Sequence, residues 1–233
     1  MAGNQLESGK SRKKQERFMR VLNWEDRDSD WAKEWYAQCI EHLRNDGLAI
    51  LPTETGYMLA ANGLSEVALE ALYIAKGRPS GQATHLAVSH LEEAKKIVRL
   101  GTVGERLLSR WSPGPVTVIG DALDGIPRRI LGPEDSLGVR IPDHPGTLKL
   151  LKALACPLTT TSANLAGATH ERTMRGILSQ FPETVSREWF LLVDDARKYE
   201  NPSTMLKVHT DDSWTVIREG AISTREIQRA LTD

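Results

Sequence analysis

Cysteine is nearly absent from this chain: Cys39 and Cys156 are the only two in 233 residues, both in apolar surroundings and without the spacing of metal ligands. They read as buried free thiols, which excludes a disulfide-built scaffold and predicts a reducing compartment, the cytoplasm. Long apolar runs are missing too. No stretch approaches the ~18 residues that cross a bilayer, and the N-terminus lacks the apolar core of a signal peptide, so no membrane association is expected. The formal net charge is -1, which provides no bulk attraction to nucleic acid, although local basic patches remain compatible with it. No Gly-x-x-x-x-Gly-Lys-Ser/Thr loop and no Gly-x-Gly-x-x-Gly occurs, which argues against P-loop and dinucleotide-binding folds. The Gly-x-Ser-x-Gly elbow and the His-Glu-x-x-His run are also missing, which lowers hydrolase readings. His42, His85, His90, His144, His170 and His209 lack metal spacing, so no metal-ligating residue is predicted.

What is present is an alternation of helical and strand-like segments, without repeats or a low-complexity linker. Trp31, Trp35, Cys39, Ile40 and Leu43 fall on one helical face, with Gly47 placed to close that helix in the left-handed conformation. Strands are predicted at Leu48 to Leu51, His85 to Val88, Val116 to Ile119, Leu137 to Ile141, Leu158 to Thr161, Trp189 to Val193, Thr204 to Val208 and Trp214 to Ile217. Further helices are predicted at Ser65 to Ala75, at Leu148 to Leu154, and after the capping boxes Ser89/Glu92 and Ser223/Glu226. The pattern gives one α/β domain over residues 31–233 with a twisted mixed β-sheet flanked by helices, able to bury roughly 70 to 75% of its unfolded surface. Residues 1–30 read as an extension, because Lys10 to Arg17 is dense in charge and Asn4 to Ser11 has no apolar period. Such a segment is a solvated tail or a basic arm for RNA or an acidic partner.

Polar groups punctuate the predicted strand and helix ends. Pro52-Thr53-Glu54-Thr55-Gly56-Tyr57 supplies hydroxyls and a carboxylate at a strand-to-loop junction. Lys76-Gly77-Arg78-Pro79 closes a helix, where the dipole alone favours cations. Arg140 lies inside the strand-like Leu137-Gly138-Val139-Arg140-Ile141 and is costly to bury unless it is paired or faces an anion. Thr159-Thr160-Thr161-Ser162-Ala163-Asn164 is rich in hydroxyls at a strand's carboxyl end, where open α/β sheets bind ligands. Ser203 and Arg218 add a hydroxyl and a cation near the C-terminus. Cations, hydroxyls and an amide bind phosphates and carboxylates while offering no obvious protein nucleophile.

Six motifs, in this order, resemble the YrdC-like L-threonylcarbamoyladenylate synthase family over about residues 35–228. They are Pro52-Thr53-Glu54-Thr55, Lys76-Gly77-Arg78-Pro79, Ser136 to Pro145, Thr161 to Gly167, Pro202-Ser203-Thr204 and Ile217 to Ile222. The resemblance implies a YrdC-like fold around a concave, positively charged site. It also implies a nucleotidyltransferase that uses ATP, L-threonine and bicarbonate to make threonylcarbamoyl-AMP and pyrophosphate, for the threonylcarbamoyladenosine at position 37 of tRNA. Lys76 and Arg78 would be catalytic and would hold carboxylate, carbamate and phosphates. Thr53, Tyr57, Arg140, Thr160, Ser162, Asn164, Ser203 and Arg218 would complete the threonine and ATP contacts. Magnesium would ride on the ATP with few protein ligands. Implied partners are tRNA or double-stranded RNA and a tRNA threonylcarbamoyltransferase. Two other readings stand beside this one: a divergent enzyme activating a different amino acid or carbamate with ATP, and a noncatalytic RNA-binding or regulatory paralogue. Departures from the family pattern are Gly56 and Met58 around Tyr57, Gln82-Ala83-Thr84 in place of Lys-Pro-Leu, and the acidic Asp194-Asp195 stretch. Acids near a triphosphate are unfavourable unless they carry magnesium.

Overall fold

An extended segment, β1 (Arg20–Asn23), opens the part of the chain described by the computed structural model, which comprises residues 20–79, 81–181 and 188–232. Leu22 of β1 is 1% exposed, and Trp35 donates its indole N–H to the Arg20 carbonyl at 2.7 Å. Residues before 31 thus contribute to the folded core, since β1 brings its own buried side chain and pairs with β10. The basic run Lys10 to Arg17 lies outside the described residues. Helix α1 (Asp30–Arg44) starts at Ser29, whose Oγ accepts the Ala32 N–H at 3.1 Å. Such a cap stabilises a helix by about 1 kcal/mol. Trp35, Cys39 and Leu43 are buried as expected, but Trp31 is 42% exposed, so the apolar stripe is narrower than its sequence suggests. The left-handed residue after the helix is Asp46 and not Gly47.

The remaining elements follow as β2 (Ala49–Thr53), β3 (Gly56–Ala60), α2 (Glu66–Lys76), β4 (Leu86–Ala87), the single turn α3 (Leu91–Ala94), β5 (Val98–Arg99), α4 (Gly101–Trp111), β6 (Val116–Ala122), β7 (Ser136–Arg140), α5 (Pro145–Leu154), β8 (Leu158–Thr159), β9 (Thr161–Ser162), α6 (Met174–Leu178), β10 (Phe190–Val193), β11 (Thr204–Val208), β12 (Trp214–Arg218) and α7 (Thr224–Thr232). They build two mixed sheets. The five-stranded sheet has the order β1-β10-β2-β3-β9, and the seven-stranded sheet runs β12-β11-β6-β7-β4-β8 with β5 on β6. The fold is α/β with helices on the sheets, as the sequence predicts, but the strands divide between two sheets.

Three local differences have physical causes. Leu158 to Thr161 is not one strand. It breaks at Thr160, so that β8 pairs with β4 in one sheet and β9 with β3 in the other. Pro52 to Tyr57 is not a loop but a hairpin: Thr53 pairs with Gly56, and only Glu54 and Thr55 turn. The capping box at Ser89 uses Glu93, whose Oε2 accepts the Ser89 N–H at 2.8 Å, and the helix lasts one turn before β-branched Val98 enters β5. At the far end, Ser223 and Glu226 exchange bonds as predicted, with Ser223 N to Glu226 Oε2 at 3.0 Å and Glu226 N to Ser223 Oγ at 3.3 Å.

The five-stranded sheet is buried on both faces, one against α1 and α5 and the other against α2 and α6. Strands covered on both faces read as continuous apolar runs, which is why Leu48 to Ala61 is apolar apart from its turn. The seven-stranded sheet is different. Leu137, Val139 and Ile141 point into the core, and the alternation of a strand puts Ser136, Gly138 and Arg140 on the opposite face. That face, with the ends of β3, β9 and α2, forms the site.

Candidate active site

A cavity of about 690 Å³ takes side chains from both sheets, and all ten residues singled out from sequence line it: Thr53, Tyr57, Lys76, Arg78, Arg140, Thr160, Ser162, Asn164, Ser203 and Arg218. Their local settings differ.

Lys76 ends α2, which Ser65 caps at its start and Gly77 closes in the left-handed conformation at φ 59°. That conformation costs glycine little, and it turns Arg78 off the helix. Lys76 is 4% exposed, and its Nζ donates to the carbonyls of Ser162 at 2.5 Å and Asn164 at 2.8 Å. Burial, and then the nearby Arg78, push its pKa down to about 8. An ammonium has three N–H groups, so one remains for a ligand. Asn164 is itself fixed: its Oδ1 accepts from Ser162 Oγ at 2.5 Å, and its Nδ2 donates to Leu165 and Ala168 carbonyls, each at 3.0 Å.

The three residues that depart from the family pattern after Arg78 are the ones that grip it. Arg78 donates from Nε to Gln82 Oε1, from Nη1 to Thr84 Oγ1 at 3.4 Å and from Nη2 to the Ala83 carbonyl at 3.1 Å. Gln82, Ala83 and Thr84 thus hold the guanidinium from three sides of its fork.

Arg140, read from sequence as either an ion-pair partner or a ligand contact, is an ion-pair partner that also lines the cavity. Its Nη2 donates to Glu54 Oε1, and Glu54 is 2% exposed. Arg218 donates from Nε and Nη2 to the Ser203 carbonyl, at 3.2 and 2.8 Å, and from Nη2 to Ser203 Oγ at 3.2 Å. Burial, and then Arg140, lower its pKa. His85 lies under these cations. Burial, followed by Arg218, Arg140 and Arg78, pushes its pKa down to about 4, so its ring is neutral near pH 7. Gly138 makes room for that ring, since a Cβ there would fall 2.1 Å from His85 Nδ1.

Two residues reach the cavity with their hydroxyls committed elsewhere. Thr53 Oγ1 donates to the Gly56 carbonyl at 2.8 Å, so it offers a ligand the shape of the turn rather than a free donor. Tyr57 donates to Asp195 Oδ1 at 2.7 Å and accepts the Asp194 N–H at 2.9 Å. Burial, and then Asp195, raise the Tyr57 pKa. The acidic pair therefore does not line the cavity: Asp195 also accepts the Met174 N–H at 3.0 Å, and Asp194 Oδ2 lies 3.2 Å from His144 Nε2. Sequence reasoning missed Thr117, Met205, Arg172, Arg197 and Glu200, which also line the cavity. Thr117 and Met205 are pointed inward by strand alternation, which apolar neighbours disguise. Arg172 and Glu200, 2.6 Å apart at the cavity's edge, lie in loops without a periodic signal. Among the described residues, no group of three or more His, Cys, Asp or Glu is placed to hold a metal ion.

The geometry has counterparts. The sequence profile of Sua5/YciO/YrdC, described as telomere recombination, matches residues 41–220. The chain belongs to the Sua5/YciO/YrdC family. A threonylcarbamoyl-AMP synthase of Enterobacter sp. (strain 638) is 34% identical over 149 residues, which is 62% of this chain and 78% of the relative. The structure of Sua5 from P. abyssi complexed with L-threonine superposes with a TM-score of 0.81 at 25% identity, covering 92% of this chain. This chain spans only 61% of that Sua5. E. coli YciO superposes with a TM-score of 0.72 at 25% identity, covering 90% of this chain and 98% of YciO. Within this Sua5/YciO/YrdC scaffold, the cavity walls come from the two sheets and the rim from the loops around Arg172 and Glu200.

Proposed function

We propose that this chain is a threonylcarbamoyl-AMP synthase that acts on L-threonine, bicarbonate and ATP. The observation that carries the reading is the cavity itself, where Lys76, Arg78, Arg140 and Arg218 converge with Ser162, Asn164 and Ser203, and where the two serine hydroxyls are already engaged, by Asn164 and by Thr117. A substrate that brings its own nucleophile needs such a site. Threonine's amine takes up bicarbonate to give a carbamate and water; a carbamate oxygen attacks the α-phosphorus of ATP, and the bond to pyrophosphate breaks. The chain's part is to position the reactants and neutralise developing charge. Lys76 Nζ, held by two carbonyls, and the Arg78 fork hold carboxylate, carbamate and α-phosphate oxygens. Arg140, Arg218 and Ser203 complete the threonine and ATP contacts. Magnesium fits as an ion carried by the nucleotide, because the carboxylates lining the cavity are already engaged, Glu171 by Thr169 and Glu200 by Arg172 and Arg197. The mixed anhydride product calls for a transferase that delivers it to tRNA.

A second reading, the same chemistry on another amino acid, is favoured by Met58. It is 2% exposed, lines the cavity and stands opposite Ser162 in the β3–β9 register. Pyrophosphate release measured with ATP, magnesium, bicarbonate and one amino acid at a time tests both. Release that depends on threonine and bicarbonate supports the first reading, and release with a different amino acid alone supports the second. No release, together with tight RNA binding, overturns both. Arg78→Ala should lower turnover by at least ~100-fold, the scale of losing one positioned electrostatic group.

A further inference from the structure

We infer that His85 is a catalytic residue, which accepts the N–H of the substrate's amine and takes that proton as the carbamate forms; the inference rests on the amino-acid-activating reading above. His85 immediately precedes β4, whose Leu86 points into the core, so strand alternation turns the imidazole into the cavity, which it lines. The register of β4 on β7 sets Leu86 beside Val139 and Ala87 beside Arg140, which leaves His85 level with Gly138. That glycine is the seat of the ring, because a Cβ there would meet Nδ1. The backbone is pinned as well, with the Thr160 N–H donated to the His85 carbonyl at 2.8 Å. Among the described residues the ring itself has no hydrogen-bond partner. A polar side chain seated this closely and left unsatisfied on a cavity wall marks a ligand contact.

The surroundings say which ligand group it takes. Lys76, Arg78, Arg140 and Arg218 can only donate hydrogen bonds, and the hydroxyls of Thr53 and Ser162 already donate within the chain. These groups suit carboxylate and phosphate oxygens. The amine of an amino acid needs an acceptor instead, and a neutral imidazole has one. Burial, and then Arg218 of β12, Arg140 of β7 and Arg78 beyond α2, keep the ring neutral. The same cations repel an ammonium, so the cavity admits the uncharged amine. The amine nitrogen bonds to the carbon of bicarbonate while one N–H proton passes to the imidazole; the C–OH bond breaks, and the imidazolium returns the proton to the departing hydroxyl. Carbamate and water result, and the imidazole is regenerated. The triphosphate of bound ATP offsets the guanidinium charges and raises the basicity of the ring, so the base strengthens when the nucleotide is in place to capture the carbamate.

The experiment compares wild type with His85→Ala and His85→Gln. Pyrophosphate release gives kcat, equilibrium dialysis with magnesium-ATP reports binding, and thermal melting reports folding. Both variants should lose at least ~100-fold in kcat, the lower end for a positioned base, while their affinity for ATP stays within about 3-fold of wild type. Added imidazole should raise the rate of His85→Ala at least ~10-fold, in proportion to its neutral form as pH is varied. His85→Gln accepts a hydrogen bond but no proton and fills the same place, so imidazole should leave it unchanged. If His85→Ala does not fold, kcat against ATP binding in His85→Gln decides. A kcat in His85→Gln within a few-fold of wild type, a loss of turnover matched by an equal loss of ATP binding, or a folded His85→Ala that imidazole does not restore would each overturn the assignment. A wild-type protein that releases no pyrophosphate with any amino acid would overturn the functional reading and this inference with it, whereas release by wild type with undiminished turnover in His85→Gln would sink the inference alone. Every amino acid carries the amine, so the outcome does not depend on which one is activated.

Discussion

Lys76, at the end of α2, and Arg140, at the end of β7, stand on walls of one cavity, 4% and 6% exposed, yet one is held by two carbonyl oxygens and the other by a carboxylate. Carbonyl dipoles orient an ammonium without cancelling its charge, so Lys76 keeps a full positive charge in a poorly solvated place, and its pKa falls to about 8. Glu54 largely cancels the charge of Arg140 and leaves its geometry. The first wall supplies attraction and the second supplies direction. The free protein bears the cost of the uncompensated cation, and an anionic substrate removes it.

The contrast can be broken by removing one cation at a time. Arg140→Met strands a buried carboxylate and should cost about 3–5 kcal/mol of folding stability, the scale for losing one partner of a buried pair; a melting temperature equal to that of wild type would contradict the pairing. Lys76→Met strands no charge. It should therefore lower turnover by ~100-fold, about 2.7 kcal/mol of transition-state stabilisation, while the melting temperature drops far less than in Arg140→Met. Turnover within a few-fold of wild type would remove Lys76 from the machinery. The pH profile sharpens the same point. Because the pKa of Lys76 in the free protein lies near 8, the charged form is lost as pH rises through that value, and kcat/KM should fall about tenfold per pH unit beyond it. Bound anions favour the ammonium, so the corresponding limb of kcat should lie at higher pH. A Lys76→Arg variant that retains activity should lose the limb near 8; a limb unchanged in that variant would assign it to another group.

A smaller effect, on stability, is expected from His85. Its pKa in the folded protein, about 4, lies below its ordinary 6.5, so the unfolded chain takes up a proton first as pH falls, and stability declines between those values. A shallower decline of the melting temperature from pH 6.5 to 4 in His85→Gln than in wild type is the expected result, since His42 and His144, also held below their ordinary values by burial, remain. At the rim, Arg172→Ala should change stability by less than about 1 kcal/mol, since the pair with Glu200 is solvent-exposed on both sides. A larger loss would show that the rim loops are held more firmly than one ion pair allows.

Much of the site was legible in the sequence because its residues break apolar surroundings. Arg140 is a cation between buried neighbours, whereas Lys76, Ser162 and Asn164 gained meaning from the collinear motifs that carry the family resemblance, and the structure gathers all four at the cavity. Thr53 and Tyr57 were legible as positions but not as chemistry, since nothing in a linear string shows that a hydroxyl is already donated to Gly56 or Asp195. Asp194 and Asp195 misled for the same reason: their partners, His144, Tyr57 and the Met174 N–H, lie far away in sequence. Helix α4 escaped notice because Gly101 and Gly104 interrupt its pattern, while β1 was hidden by the charged residues around it. The hairpin at Glu54 read as a loop because Pro, Thr and Gly serve turns of every length.

Thr160 is the single residue between β8 and β9, and so between the two sheets. On one side of it, Thr159 exchanges bonds with β3 and its neighbour, its N–H to the Ala61 carbonyl at 2.9 Å and its Oγ1 to the Leu59 carbonyl at 3.1 Å. On the other side, two residues on, is the Ser162 carbonyl that holds Lys76. A hinge requires slack, and one residue pinned on both flanks provides none. The cleft is thus a jaw whose halves share a fused joint, so the angle between the two sheets is set by the pairing of β8 and β9 with their neighbours.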